Sequence, residues 1–503
     1  MKRFSMLSLP LLMVIMFTCK GLTEKNPDVK EVRSAETLRL LTENPRYLEY
    51  KGNPLILITS AEHYGAMVNL DFDYKLYMET LRKEGFNYTR IFTGTYIEPV
   101  ENIFGIRKNT LAPLPGRFIA PWVKEDGKYD LDRFSSSFFE RLKDFVGEAE
   151  KLGVIVEITL FTSIYAENAW DLSPFNAKNN INGVGDLPFQ RVNTLYNGEL
   201  LDYQQKYIQK VVRELNGFDN FFFEIQNEPW SDNQNLAGFV NESDEEVHIR
   251  NWQKQVVIAN ELSMEWQTWV ASVIKNEEEA LRKEEAQSKT HLVAQNICNF
   301  QYDLKHLSEG ISMINFHYAL PGAVEMNMDL GAVIGLDETG FMPHEEALYL
   351  DQAWRLIISG AGLYNNLDYS FTAGSERGDW PIPDSNPGWG GPQFREKLSI
   401  LVRTMAEVPF WEMEFSGDIL TSDAPSFKQY GLQKEGEVYL LFLEKYEHGA
   451  LVPVLPPGVY ELSFINVDTG ELSSETLSLG KGEELHPPLE AEHLALLIRK
   501  SDS

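Results

Sequence analysis

Two stretches of the chain end on carboxyls at places where chemistry could be done. Phe221-Phe222-Phe223-Glu224-Ile225-Gln226-Asn227-Glu228-Pro229-Trp230 is an apolar, β-like run stopped by a proline. Ala332-Val333-Ile334-Gly335-Leu336-Asp337-Glu338-Thr339-Gly340 is a second run, closed by two acids. Proline has no N–H to give a central strand, so Pro229 puts Asn227 and Glu228 at the strand's end. Two carboxyls from separate strand ends are what cleavage of a glycosidic bond requires: one protonates the leaving oxygen and the other attacks the sugar carbon. Glu224 lies four residues deeper than Glu228, roughly 13 Å away at the usual strand rise, and cannot reach the same bond. It reads as a buried, paired carboxylate. Side chains alternate along a strand, so Asp337 and Glu338 are expected on opposite faces; spacing leaves open which one faces inward.

Such residues need a scaffold that gathers strand ends. After a polar linker, apolar runs occur at Leu55–Thr59, Tyr88–Thr93, Val154–Phe161, Phe221–Gln226, His291–Ile297, Ser312–Tyr318, Ala332–Glu338 and Gly362–Tyr369. Several lack polar alternation, as strands of a parallel sheet covered on both faces do. Helical patterns fill several of the gaps between them. Phe134, Phe138, Leu142, Phe145, Ala149 and Leu152 recur at spacings of four and three and share one face, and Gly153 follows as a helix-ending glycine. A stretch near Trp252 to Lys289 reads as helical, with a charged, solvated end. Helices after the fifth and sixth runs are thin. Eight β–α units predict a (β/α)8 barrel, whose active site forms at the C-terminal strand ends. The competing open, doubly wound sheet is disfavoured because no strand-to-helix turn carries a phosphate-binding glycine pattern. From about Pro409 short strands alternate with Gly/Pro turns, which predicts a small antiparallel β-sandwich. The expected organisation is therefore a signal peptide over 1–18, a linker over 19–45, the barrel over 46–409 and the sandwich over 410–503.

The composition narrows the partners. The 503 residues carry a formal charge of −30, from 45 Lys and Arg against 75 Asp and Glu, a field that repels nucleic acid and anionic lipid. A strongly anionic glycan is disfavoured as well, unless the site itself supplies basic residues. The 12% aromatic content suits sugar stacking and core filling equally. The two cysteines, Cys19 and Cys298, are not expected to pair, because Cys19 lies in the leader. Cys298 reads as a buried, inert thiol. No zinc-like Cys/His spacing occurs, and no metal or cofactor is expected.

The Asn227-Glu228-Pro229 motif at the fourth strand, with a terminal Glu at the seventh, resembles the clan A glycoside hydrolases, especially the cellulase-like family 5 group. The resemblance spans about Tyr47 to Phe410, in strand order and motif. It implies Glu228 as acid/base and Glu338, rather than Asp337, as nucleophile of a retaining reaction on an O-glycosidic, β-type bond in an oligo- or polysaccharide. Gly85-Phe86-Asn87-Tyr88-Thr89-Arg90 resembles the family's second strand, whose Arg steadies the nucleophile. Asn227 would hydrogen-bond the sugar 2-hydroxyl. His317 and Tyr318 end the sixth strand, where the family places a His and a Tyr; here they are adjacent, whereas family members often space them by one residue. The competing reading of Arg90 is an internal salt bridge, and of His317 a satisfied core histidine. On these roles Arg90 and the sixth-strand pair would hold the Glu338 carboxyl down, and Glu228 would be raised.

Around this core, Trp230 follows the acid/base motif and is a candidate stacking platform, with Trp380 and Trp389 in the loop after the eighth strand as further candidates. Glu62-His63-Tyr64 follows the first strand and could line the cleft. The long loops Thr95–Asp130 and Thr162–Asn197 could wall off a pocket or border an open cleft. The C-terminal sandwich is expected to brace the barrel. At the N-terminus, Lys2 and Arg3 precede an apolar stretch from Phe4 to Phe17 too short to span a bilayer, a signal-peptide pattern. Cys19 follows it as in a bacterial lipoprotein, despite bulky Met16 and Phe17, so the expectation is export with lipidation at Cys19, at the periplasm or the outer cell surface, the alternative being simple secretion. The alternative to an enzyme is a non-catalytic surface protein that binds glycans on a barrel scaffold.

Overall fold

The computed structural model describes residues 37–501, except 63, 102–103, 105–110, 241–253, 286, 385, 422–426, 447–448, 481 and 490. The signal-peptide segment and Cys19 lie outside the described residues, as does His63. Among the described residues, eight parallel strands form the centre: β1 (Leu57–Ala61), β2 (Tyr88–Phe92), β3 (Ile155–Thr162), β4 (Phe221–Asn227), β5 (Val293–Asn299), β6 (Met313–His317), β7 (Val333–Glu338) and β8 (Leu363–Leu367). Ladders join β2 to β3 and so on in order to β8, and β8 returns to β1. Between β1 and β2 the ring is completed by the Asn87 side chain, which accepts from Ile58 N at 3.1 Å and donates to Ile56 O at 2.8 Å. The expected barrel is present, and every residue of these eight strands is buried. That accounts for the lack of polar alternation in several of them.

Helices cover the outside: α1 (Tyr74–Glu84), α2 (Ser136–Leu152), α3 (Leu200–Leu215), α4 (Glu261–Glu284), α5 (Glu346–Ile358) and α6 (Pro392–Ala406). Helix α2 follows its sequence pattern: Ser135 caps it by accepting from Phe138 N, Phe138, Leu142, Phe145 and Ala149 are buried, and Gly153 ends it at φ 71°. Among the described residues no long helix follows β5, and between β6 and β7 there is only the short α-helix Pro321–Glu325 and a single 3-10 turn, Met328–Leu330. One expectation fails. Gln255–Ala259 is not helical but pairs antiparallel with Gln234–Phe239, and Ile258 pairs with Cys298 of β5. Val256, Val257 and Ile258 are stiff at χ1 and suit a strand, and the helix starts only after Asn260 caps it by accepting from Ser263 N.

The barrel's N-terminal mouth is shut by a small three-stranded sheet, Arg39–Leu40, Leu48–Tyr50 and Asn53–Leu55. Leu38 and Leu48 pack there against the first turns of the barrel strands, including Leu57, Tyr88, Phe222 and Leu363. The end of the expected linker is thus folded. At the C-terminus, β9 (Lys428–Lys434), β10 (Val438–Glu444), β11 (Gly458–Asn466), β12 (Leu472–Leu479) and β13 (Leu494–Lys500) build an antiparallel sheet in the order β9-β10-β13-β11-β12, edged by Glu414–Phe415. Its alternation explains its composition. Val438, Leu440 and Phe442 join the barrel's core, whereas Tyr439, Leu441 and Leu443 face a second core with Leu420, Leu451 and Leu485. The short pair Leu420–Thr421 and Val452–Pro453 lies on that second side, completing the expected sandwich. Phe442 stacks on Trp354 of α5 with centroids 5.5 Å apart, so the sheet is docked through apolar packing.

Candidate active site

At the C-terminal strand ends the backbone leaves its easy conformations. Tyr165, Glu228, Phe300, Tyr318 and Phe341, each shortly after one of five successive strands, all have φ between 48° and 68°. For side chains of this size that region is strained, on the order of 1–3 kcal/mol each, and such strain collects where geometry serves function. At Glu228 the turn lets the backbone N–H donate to Asn296 Oδ1 and fixes the carboxyl beside β6. Tyr318 N in turn donates to Glu338 O at 2.9 Å, tying the sixth strand end to the seventh.

The expectation that Asp337 and Glu338 face opposite ways is wrong. Phe316 pairs with Leu336, but His317 pairs with Glu338, so Asp337 is an extra residue in the ladder. This bulge breaks the alternation and turns both carboxyls inward. Both reach Arg90: Asp337 Oδ2 lies 3.3 Å from Nη2 and Glu338 Oε2 lies 3.2 Å from Nη1.

Arg90 is also the partner of Glu224, which accepts from Nε at 2.9 Å and from Nη2 at 2.7 Å. The salt-bridge reading and the nucleophile-contact reading of Arg90 therefore describe one guanidinium. Its Nη2 also donates to Asn227 Oδ1 at 2.6 Å, while Asn227 Nδ2 donates to the Tyr165 hydroxyl at 2.6 Å. Five buried carboxyls, Glu157, Glu224, Glu228, Asp337 and Glu338, stand around two cationic groups, Arg90 and His317. Such an excess of acid cannot all be ionised in a dry interior, so the cluster must hold protons.

His317 bridges the pair. Its Nδ1 lies 3.0 Å from Glu228 Oε1 and 3.7 Å from Glu338 Oε2, and its Nε2 is 3.3 Å from Asp337 Oδ1. Burial disfavours the imidazolium, but Glu338, Asp337 and Glu228 outweigh it and push the histidine pKa well above its ordinary range. The Tyr318 hydroxyl donates to Glu228 Oε1 at 2.9 Å and stands 3.4 Å from Glu338 Oε1. The adjacency of His317 and Tyr318 is therefore no obstacle: the left-handed turn at Tyr318 brings both to the same carboxyls.

The charge balance runs opposite to the sequence expectation. Burial alone would raise Glu228, but His317 and Tyr318 hold it below the usual carboxylate range. Burial pushes Glu338 up to about 7 against the pull of His317 and Arg90, with the Glu228 charge adding to the rise. The reason is contact geometry: Arg90 is spent mainly on Glu224, while both sixth-strand donors point first at Glu228. Asp337 is lowered to about 2, because Arg90 and His317 overcome its burial.

Above these groups lies a cavity of about 370 Å³ with Asn227, Glu228, Tyr318 and Glu338 in its wall. Trp230 lines it, 4% exposed, with its ring edge-on to His317 at 5.3 Å. Trp380 and Trp389 do not line it; Trp389 packs against His344 instead. Tyr64 does line it, whereas Glu62 turns away to accept from Gly65 N and Ala66 N. Sequence reasoning missed Tyr96, Glu98, Tyr165, Gln234 and Gln255, all of which line the cavity from loops or from the inserted strand pair. The two long loops were the available signal, since they supply Tyr96, Glu98 and Tyr165.

Two triads, Glu224–His317–Asp337 and Glu228–His317–Glu338, each place one donor atom per residue within 4.8 Å. The Arg90 guanidinium already occupies the first and contacts Glu338 of the second, so the positive charge these carboxylates need is supplied by the chain. Cys298 is buried, unpaired with another cysteine, and its thiol pKa is pushed up by burial.

No family model and no curated protein matches the chain. Among solved structures, a glycoside hydrolase family 5 protein from Bacteroides vulgatus superposes with a TM-score of 0.59 at 10% identity, covering 93% of this chain and 94% of that one. A second structure, described as a glycoside hydrolase, gives 0.58 at 10% identity over 93% and 97%. The coverage takes in barrel and C-terminal sheet together, and at this identity the likeness is one of fold: the chain has the two-part architecture of these glycoside hydrolase structures.

Proposed function

We propose that the protein is a retaining glycoside hydrolase that cleaves O-glycosidic bonds, of β type, in an oligo- or polysaccharide. The observation that carries this reading is the carboxyl pair: one oxygen each of Glu228 and Glu338, with a His317 nitrogen between, lie within 4.8 Å at the wall of an aromatic-lined cavity. Carboxyls of retaining enzymes stand about 5–5.5 Å apart, and those of inverting enzymes about 6.5–9.5 Å. In this reading Glu338 attacks the anomeric carbon as the bond to the leaving oxygen breaks, and Glu228 gives that oxygen its proton. Water then attacks the glycosyl ester, Glu228 takes a proton from it, and Glu338 leaves as the carboxylate.

The pair titrates as one system. Its shared proton favours Glu338, whereas the first step needs it on Glu228. The Tyr318 hydroxyl, within reach of both carboxyls, gives that proton a path: it accepts from Glu338 and donates to Glu228 in one concerted transfer. A glycosidic oxygen beside Glu228 and an anomeric carbon beside Glu338 favour the transferred state. Arg90 and His317 position the two carboxyls, Asn227 takes the sugar 2-hydroxyl in this reading, and Trp230 supplies apolar wall. Turnover of nitrophenyl glycosides by the full chain, lost in Glu338→Ala, tests this; wild-type turnover that survives the substitution contradicts it.

We further propose export, with lipid attachment at Cys19. Cys19→Ser should move the protein from the membrane fraction to the soluble fraction, and an unchanged distribution contradicts the anchor.

A further inference from the structure

We infer that the cavity is a blind pocket that takes one uncharged sugar at the non-reducing end of a glycan, so that the enzyme trims chain ends. This rests on the hydrolase reading above.

The first observation is how the wall is built. A cleft that lets a polysaccharide cross a barrel leaves two opposite sides of the mouth open. Here every strand end contributes. The catalytic groups come from β4, β6 and β7; Tyr64 follows β1, Tyr96 follows β2, Tyr165 follows β3, Asn299 ends β5 and Tyr369 follows β8. The inserted strand pair then raises the side over β4 and β5, presenting Gln234, Gln255 and Val257 to the cavity. That wall is fastened: Asn299 Oδ1 accepts from Val257 N at 2.8 Å, and Asn299 Nδ2 donates to Gln255 O at 2.9 Å. On the facing side Tyr64, Tyr96 and Tyr165 lock edge to face, with Tyr64 and Tyr165 5.8 and 5.9 Å from Tyr96. Packed aromatic rings and a laddered strand pair do not part for a passing chain. The volume, about 370 Å³, lies near the low end of ligand pockets.

The second observation is charge. The described lining residues include the carboxyls of Glu98, Glu228 and Glu338 and no lysine or arginine. Arg90 stands behind the wall, committed to acids. An anionic sugar here would meet like charges in a poorly hydrated site inside a chain of net charge −30. Glu98, 3% exposed, and the amides of Gln234 and Gln255 instead suit hydroxyl groups. Because Glu338 attacks the anomeric carbon of the sugar held in the pocket, the rest of the glycan must leave through the mouth on the aglycone side. Any residue attached to the far side of the bound sugar would run into the wall.

The test uses nitrophenyl glycosides of neutral sugars and of the matching uronic acids. It then takes the tetrasaccharide of whichever neutral sugar is turned over, labelled at its reducing end, and resolves products with time. The inference expects labelled trisaccharide and free monosaccharide as first products, and a kcat/KM for the uronide at least about a hundredfold lower. Labelled mono- or disaccharide formed from intact tetrasaccharide, or comparable uronide turnover, would overturn the pocket inference while leaving the hydrolase reading intact. Absence of turnover on every glycoside would overturn both.

Discussion

The His317 imidazole lies 3.0 Å from the Glu228 carboxylate through Nδ1, while its other nitrogen faces Asp337 at 3.3 Å. The residue next to the proposed nucleophile therefore acts on the proposed acid/base through a histidine, an arrangement that exists because the β7 bulge turns Asp337 inward.

Asp337→Asn tests that linkage. Removing one of the carboxylates that raise His317 lowers the histidine pKa, and an imidazolium is present only below its pKa. The proton on His317 is then lost at a lower pH, and Glu228 loses a donor with it. The alkaline limb of kcat/KM should move down by about one pH unit or more, with kcat at neutrality reduced about tenfold. A pH–rate profile that superposes on wild type would contradict the linkage.

Stability should fall from mildly acid to mildly alkaline pH. Burial raises Glu62, Glu224, Asp232 and Glu338 each to about 7, from ordinary values near 4. For a carboxyl raised in the folded state, folding binds extra protons between the unfolded and folded pKa, so stability declines as pH rises through that window. Asp337, at about 2, works the other way: its contribution is complete above the ordinary aspartate pKa and is lost in stronger acid. The Tm should therefore be highest near about pH 5 and lower at about pH 8. A Tm that climbs steadily across that range would show that these carboxyls are not held protonated.

The C-terminal sheet should contribute stability rather than chemistry. Phe442 is fully buried against Trp354, and none of the described sandwich residues lines the cavity. Phe442→Ala should destabilise by about 3–5 kcal/mol in denaturant titration, with kcat/KM nearly unchanged at a temperature where the variant is folded. A large loss of kcat/KM in the folded variant would give the sandwich a part in the site.

The strands were legible because burial on both faces writes apolar runs such as Val154–Phe161, and α2 because phenylalanines recur on one face. Glu228 was legible through Pro229, which ends its strand. What stayed hidden depends on contacts distant in sequence. The bulge at Asp337 carries no glycine to mark it, so alternation misplaced one of the two acids. The sharing of Arg90 between Glu224 and Glu338 depends on how β2, β4 and β7 meet, and this reversed the expected balance between the carboxyls. Tyr165 and Gln255 sit in a loop and an inserted strand whose positions over the mouth no periodicity records.

The central claim, that Glu338 forms the covalent bond and Glu228 handles the proton, is tested most directly in Glu228→Ala with a dinitrophenyl glycoside. That leaving group needs no proton, so the first step should proceed and the second should stall without a base. Mass spectrometry of the digested protein should then find one sugar on the peptide that contains Glu338, while Glu338→Ala carries none. Sugar on another residue, or no labelled intermediate together with equal loss of activity on good and poor leaving groups in both variants, would contradict the assignment.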